Sequence, residues 1–215
     1  MDRIYRVGIE EVPKRLTLNE QEHLRLTFIV MPGVSAEIPF EINIGKAGVN
    51  LEIYGLYLSP HSEQVKFDFT VRHLVGGSHS SQVFRGIVGG SARAEFDGLV
   101  YVAKDAQKTE AFQENHSILL SDGAVAESRP QLEIYADDVK CSHGSTVGQL
   151  NDAAMFYMQQ RGIDEHEAKL LLEFAFIGEV IDRIKLEPLR DRLHQLVEKR
   201  FRGELGRCSN CQICK

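Results

Sequence analysis

Val65-Lys66-Phe67-Asp68-Phe69-Thr70-Val71 alternates strictly between apolar and polar side chains. That is the period-2 signature of a half-buried β-strand. Similar segments lie on both sides. Toward the N-terminus, residues 24–30, 37–44 and 49–58 read as strands, the last with Leu51, Ile53 and Leu56 apolar. Toward the C-terminus, residues 83–88 and 96–102 continue the series, followed by Ile118-Leu119-Leu120 and Leu132-Glu133-Ile134-Tyr135. Turn signals separate them at Pro32-Gly33, Ser59-Pro60, Gly76-Gly77-Ser78, Gly89-Gly90-Ser91 and Asp122-Gly123. The cadence of roughly 10–15 residues fits a β-sandwich, a barrel or a β-solenoid. Few of the gaps are tight two-residue hairpin turns, and Ile118-Leu119-Leu120 does not alternate. Both features favour strands stacked in a coil over a simple meander.

Near residue 146 the character changes to helical. Asn151 caps a helix through Phe156, Tyr157 and Met158 that stops at Gly162. Asp164, three residues before Glu167, opens a longer one in the manner of a capping box. It carries Leu170, Leu171, Leu172, Phe174, Phe176 and Ile177, apolar on nearly every side, so it is expected to be buried, within the chain or by a partner. Pro188 opens a third helix at its first position. There Leu189, Leu193, Leu196, Val197 and Phe201 form a stripe beside Arg190, Arg192, Lys199, Arg200 and Arg202. The expected organisation is a β core over 1–145, a helical region over 146–203 and a cysteine-containing tail over 204–215.

The chain has 215 residues, with 25 Lys and Arg against 31 Asp and Glu and a formal charge of −6. This length buries a sizeable core. Hydrophobic content of 43% argues against wholesale disorder, and the negative charge against nucleic-acid binding. The run over 170–180 is broken by Glu173 and Glu179 and is too short for the ~20 residues of a membrane helix. Residues 1–15 hold no apolar stretch of signal-peptide length, so a cytoplasmic location is expected.

No GxSxG, GxxxxGK[ST], GxGxxG after a strand or HExxH occurs. No row of acidic and basic residues of the kind a β-helical carbohydrate enzyme needs stands out either. Asp137 and Asp138 are adjacent, so in a strand they face opposite ways and read as a polar corner. Cys141 and His143, two apart, project from one face of an extended segment. A thiolate and an imidazole then stand side by side, as a metal or cluster edge requires, although a small buried cysteine beside a hydrogen-bonded histidine fits the same spacing. Cys208, Cys211 and Cys214 form CxxCxxC. The spacing matches three thiolates of a ferredoxin-type run and lacks the fourth cysteine and its proline. Three thiolates also suit zinc with one outside ligand, and a tail without a permanent ligand role fits too.

The block Pro130-Gln131-Leu132-Glu133-Ile134-Tyr135-Ala136-Asp137-Asp138-Val139-Lys140-Cys141-Ser142-His143-Gly144-Ser145-Thr146-Val147-Gly148 resembles the SufB/SufD family of iron–sulfur cluster assembly proteins. Its Cys-Ser-His-Gly form looks like the SufD branch. Phe84-Arg85-Gly86-Ile87, Phe96-Asp97-Gly98-Leu99-Val100-Tyr101-Val102, Ala106-Gln107-Lys108-Thr109-Glu110-Ala111, Leu119-Leu120-Ser121-Asp122, Met155-Phe156-Tyr157 and Gln160-Arg161-Gly162-Ile163 resemble family segments as well. The match runs over residues 65–201, and the chain is much shorter than typical members.

The resemblance implies a right-handed parallel β-helix followed by C-terminal helices. It implies a scaffold subunit rather than an enzyme, working with a SufB-like subunit or a second copy and with a SufC-type ABC ATPase docked on the helices. Leu189 and Leu193 are the expected docking residues. A nascent iron–sulfur cluster at the subunit interface would take His143 as a ligand, with Cys141 as its companion. The competing reading is a metal- or cluster-carrying electron-transfer protein using Cys208, Cys211 and Cys214. An uncapped β-solenoid also leaves unpaired strand edges, so an assembled state is expected.

Overall fold

The computed structural model describes residues 1–20, 22–185 and 187–201. Eleven strands are described: β1 (Asp2–Arg6), β2 (Arg15–Leu18), β3 (His23–Val30), β4 (Ala36–Ile44), β5 (Asn50–Ser59), β6 (Gln64–His73), β7 (His79–Val88), β8 (Arg93–Val102), β9 (Glu110–Leu119), β10 (Val125–Ile134) and β11 (Lys140–Gly148). Helices α1 (Asp152–Gln160), α2 (Glu165–Ile181) and α3 (Glu187–Phe201) follow.

Each strand pairs with the one two places along the chain. One sheet runs β1-β3-β5-β7-β9-β11 and the other β10-β8-β6-β4-β2. The pairings are parallel from β1 through β9 in the first sheet and from β2 through β10 in the second. A chain that returns to the same sheet every second strand, always parallel, is a coil. The strands form a parallel β-solenoid of about five turns, and the sandwich and barrel alternatives fall away. Asn50 pairs with His79, and His79 with Glu110, so one turn takes 29 to 31 residues.

The strand faces follow the alternation. Val65, Phe67, Phe69 and Val71 of β6 point inward and are buried, with exposed or half-buried polar residues between them. Aromatic rings follow one another through the core: Tyr5 stacks on Phe28, Phe28 meets Phe69 and Phe69 meets Phe84 edge to face, and Phe84 is tilted against Phe96, with centroids 4.7 to 5.2 Å apart. Large and small residues interlock across rungs. Tyr57 pairs with Gly86, and a Cβ on Gly86 would lie 1.9 Å from the Tyr57 ring. Ring pairs at these separations, edge-to-face ones included, add to the burial of the side chains.

The coil begins earlier than the sequence suggests. Charged β1 and the four-residue β2 precede residue 24, and the link between them sets Val7 and Val12 against the core. Strands β7, β9 and β10 are also longer than their apolar segments. β7 starts at His79 and β9 at Glu110, and apolar alternation is lost there because the inward positions Ser80, Gln82, Gln113, Asn115 and Ser117 are polar. Backbone pairing along a solenoid turn holds these residues extended without help from apolar alternation.

Contacts divide the chain into two units, 1–147 and 148–215. In the second, Asn151 accepts from the Ala154 N–H at the start of α1, and Asp164 from the Glu167 N–H at the start of α2. Both are N-caps, satisfying amides that have no partner within the helix. α2 packs against α1 and α3. Its buried face includes Leu170, Ile177, Val180 and Ile181, whereas Leu171 is exposed. No described helix is long and apolar enough to cross a membrane.

Candidate functional site

The core changes chemistry along the solenoid axis. The inward residues of β9 are Ala111, Gln113, Asn115 and Ser117, paired with Ser80, Gln82, Phe84 and Gly86 of β7. The Tyr57 hydroxyl donates to Asn115 Oδ1 at 3.2 Å and lies 2.7 Å from Ser117 Oγ. Asn115 Nδ2 donates across to Ser128 Oγ of β10 at 2.9 Å. Burial pushes the Tyr57 hydroxyl up to about 12, against the lowering effect of Ser117 and Asn115, so it stays a neutral donor. Gln113 Nε2 donates to Gln82 Oε1 at 3.2 Å. An aromatic interior in the early turns thus gives way to a hydrogen-bonded one in the last turns.

β11 ends the first sheet beside β9. The Lys140 N–H donates to the Thr109 carbonyl, Lys140 Nζ donates to Glu110, and His116 pairs with Thr146. These contacts set an offset of 30 residues between β9 and β11, because 140 lies beside 110 and 146 beside 116. Cys141 therefore stands beside Ala111, His143 beside Gln113 and Ser145 beside Asn115. Residues paired across a ladder share a face, and Cys141 packs against the buried cluster of Val100, Val102, Ala106, Ala111 and Ala136. Cys141 and His143 accordingly lie on the inward face of the last strand. Cys141 is half-buried and His143 is exposed, since among the described residues no further rung follows β11.

The Cys141 thiol is free, and burial pushes it up from its ordinary value, partly offset by a backbone hydrogen bond with Ala111. Beside it on the outer side, Lys140 holds the Glu110 carboxyl below its ordinary value through a hydrogen bond. Asp137 and Asp138 form the polar corner between β10 and β11. The Asp138 N–H donates to Gln107 Oε1 and its carbonyl accepts from the Lys108 N–H. Among the described residues neither carboxylate bonds His143. No group of three or more His, Cys, Asp or Glu there could hold a metal ion. A thiol and an imidazole are side chains of the kind that suit iron, and among the described residues no third such group joins them.

The sequence's other candidates fare differently. Cys208, Cys211 and Cys214 lie outside the described residues, as does the Leu189 side chain. Leu193 is 3% exposed, which removes it from the accessible surface. Among the helix residues whose side chains are described, the exposed large apolar ones are Phe156, Tyr157 and Leu171, with the Arg161 guanidinium 5.2 Å from the Tyr157 ring centroid.

Residues 10–176 match the family model described as SUF system FeS cluster assembly, SufBD core domain. The chain belongs to the SufBD family. It is 38% identical over 133 residues to the iron–sulfur cluster assembly protein SufD of Escherichia coli (strain K12), covering 62% of this chain and 31% of that protein. It is 34% identical over 194 residues to an iron–sulfur cluster assembly SufBD family protein of Synechocystis sp., covering 83% of this chain and 42% of the relative. A SufBD family protein of Mycobacterium leprae is 28% identical over 84% of this chain and 48% of its own length. The chain thus spans a third to a half of these curated relatives. The SufBD core model takes in the whole polar interior and the Cys141–His143 strand, which connects this chain to iron–sulfur cluster assembly.

Sequence reasoning missed Gln82, Gln113, Asn115 and Ser117. In Glu110-Ala111-Phe112-Gln113-Glu114-Asn115-His116-Ser117, polar residues occupy both faces, so alternation cannot separate inside from outside. The fixed length of a solenoid turn, measured from β5 to β7, is the signal that could have found them.

Proposed function

We propose that this SufBD chain is a non-catalytic scaffold subunit on which a nascent iron–sulfur cluster, as cargo, is held between two subunits. The observation that carries the reading is the placement of Cys141 and His143 on the inward face of β11, where the coil ends in the described residues. An exposed rung presents unpaired backbone groups that a second chain can pair with. Here Tyr135, Val147, Ile134 and Leu120 add exposed apolar surface to the same last turn. A SufB-like subunit or a second copy covering this end would supply the missing ligands, bringing the set to the four that clusters commonly use.

The ATPase reading attaches to the helical unit. A SufC-type ABC ATPase is proposed to dock over Phe156 and Tyr157, large aromatics exposed on α1. Phe156→Asp with Tyr157→Asp is expected to cut ATPase co-purification while leaving the strands folded by circular dichroism; undiminished co-purification removes this surface. Leu193→Asp, by contrast, tests the folding of the unit.

The deciding experiment is anaerobic reconstitution of the complex with His143→Ala. Because His143 is exposed, folding and assembly should be nearly unchanged while iron and sulfide per complex fall. Equal iron and sulfide in the variant would make His143 structural.

A further inference from the structure

Gln113 is 1% exposed, and its side-chain oxygen has no hydrogen-bond partner. Its amide nitrogen is committed to Gln82 on the preceding rung. The carbonyl oxygen is left as an acceptor inside the solenoid. A buried, unpaired acceptor is unfavourable unless another group completes it. The neighbours narrow the choice. Asn115 is engaged by Tyr57 and Ser128. On the following rung the residue beside Gln113 is His143, one strand spacing of about 4.8 Å away on the same face.

We infer that Gln113 is a positioning residue for His143: its side-chain oxygen accepts the imidazole N–H turned into the solenoid and leaves the other ring nitrogen, with its lone pair, directed out of the open end. An imidazole that binds a metal through one nitrogen is normally held through the other by such an acceptor, which also selects the tautomer. Asp137 and Asp138 do not bond the ring, and Gln113 offers an oxygen from the rigid interior rather than from the corner. The inference deepens the proposed role of His143 and rests on it for its purpose, but the hydrogen bond itself is testable without iron.

The test uses the full chain labelled with 15N-histidine, with the tautomer ratio of His143 read from two-bond 1H–15N correlations at a pH where the ring is neutral. Gln113→Met should shift the ratio roughly threefold or more, the size expected on losing one net hydrogen bond. Gln82→Met, which disturbs the same interior pair without removing the acceptor, should leave it unchanged. The ratio staying put in Gln113→Met overturns the proposal. An equal shift in both single variants also overturns it, because Gln113 would then act only through packing. Should Gln113→Met not fold, the double variant Gln82→Met, Gln113→Met removes both amides of the pair together, and its ratio decides in the same way. Iron content of the His143→Ala complex is read separately. A loss of tautomer control with unchanged iron would sink the ligand reading alone, and the reverse would sink only the role of Gln113.

Discussion

His73 and Glu173 are buried ionisable residues whose environments push them in opposite directions. His73 is fully buried, with Nε2 2.8 Å from Ser80 Oγ and Nδ1 without a partner. Burial holds it down at about 4, with a smaller contribution from His79. The unfolded chain, titrating near 6.5, therefore binds more protons than the folded one between these values. Stability is full above pH 6.5 and falls as the pH drops toward 4, by about 3 kcal/mol from this group alone. His73→Gln, which keeps a polar partner for Ser80, should flatten that part of the acid limb. Urea midpoints of both proteins at pH 7 and pH 4 measure the difference. Glu173 is buried in α2, and burial raises it to about 7, against a small lowering by Lys169. Its folded form holds a proton that the unfolded form releases near 4.5, so stability is full below 4.5 and declines as the pH rises through 7. Glu173→Gln should stabilise the helical unit at pH 8 by roughly 2 kcal/mol, seen as slower amide exchange in α2; unchanged exchange would mean that the carboxyl is solvated.

The strands show how an element tolerates side chains that its own pattern does not favour. β9 is extended although its inward residues Gln113, Asn115 and Ser117 are polar, because β7 and β11 pair with it on both sides and Tyr57 and Ser128 satisfy Asn115. Polar groups in a core are tolerated when hydrogen-bonded. The interlocked pairs impose a stricter limit. Gly86→Ala drives a methyl into the Tyr57 ring and should cost about 1–3 kcal/mol, the usual range for overpacking. Gly144→Ala in β11 meets no atom within 4 Å and should stay within about 0.5 kcal/mol. Thermal melts of the two variants side by side check the contrast. An equal cost at both positions would show that the last rung is as tightly packed as the middle of the coil.

Across the whole molecule, the solenoid unit is asymmetric. Its first strands are followed inward by packed aromatic rings and by Val7 and Val12 set against the core, while β10 and β11 leave their last residues exposed. The assembly proposed through that end rests on β11, beyond which no further described strand pairs. Sedimentation of the full chain at high concentration should give a dimer or larger species, and a stable monomer would count against the proposed interface. The two units also carry opposite pH dependences. Acidification should loosen the strands first and alkalinisation the helices first, which segment-resolved hydrogen exchange at pH 4.5 and pH 8 distinguishes. Coincident loss of protection in both units at both pH values would refute this.

Much of this protein is determined locally. Strict alternation in Val65-Lys66-Phe67-Asp68-Phe69-Thr70-Val71 makes β6 a strand anywhere a core exists, and Asn151 and Asp164 start their helices through hydrogen bonds to amides three residues away. The Cys141–His143 spacing alone puts both side chains on one face. What the sequence could not determine by itself depends on contacts about thirty residues apart. The pairing of each strand with the second one along, the extension of polar β9, and the placement of Gln113 beside His143 all come from the length of a solenoid turn. That length is a property of the closed coil rather than of any segment within it. For the same reason Leu193, part of an apolar stripe in the sequence, became a buried residue: a stripe shows that a face is apolar, and only the packed structure decides what covers it.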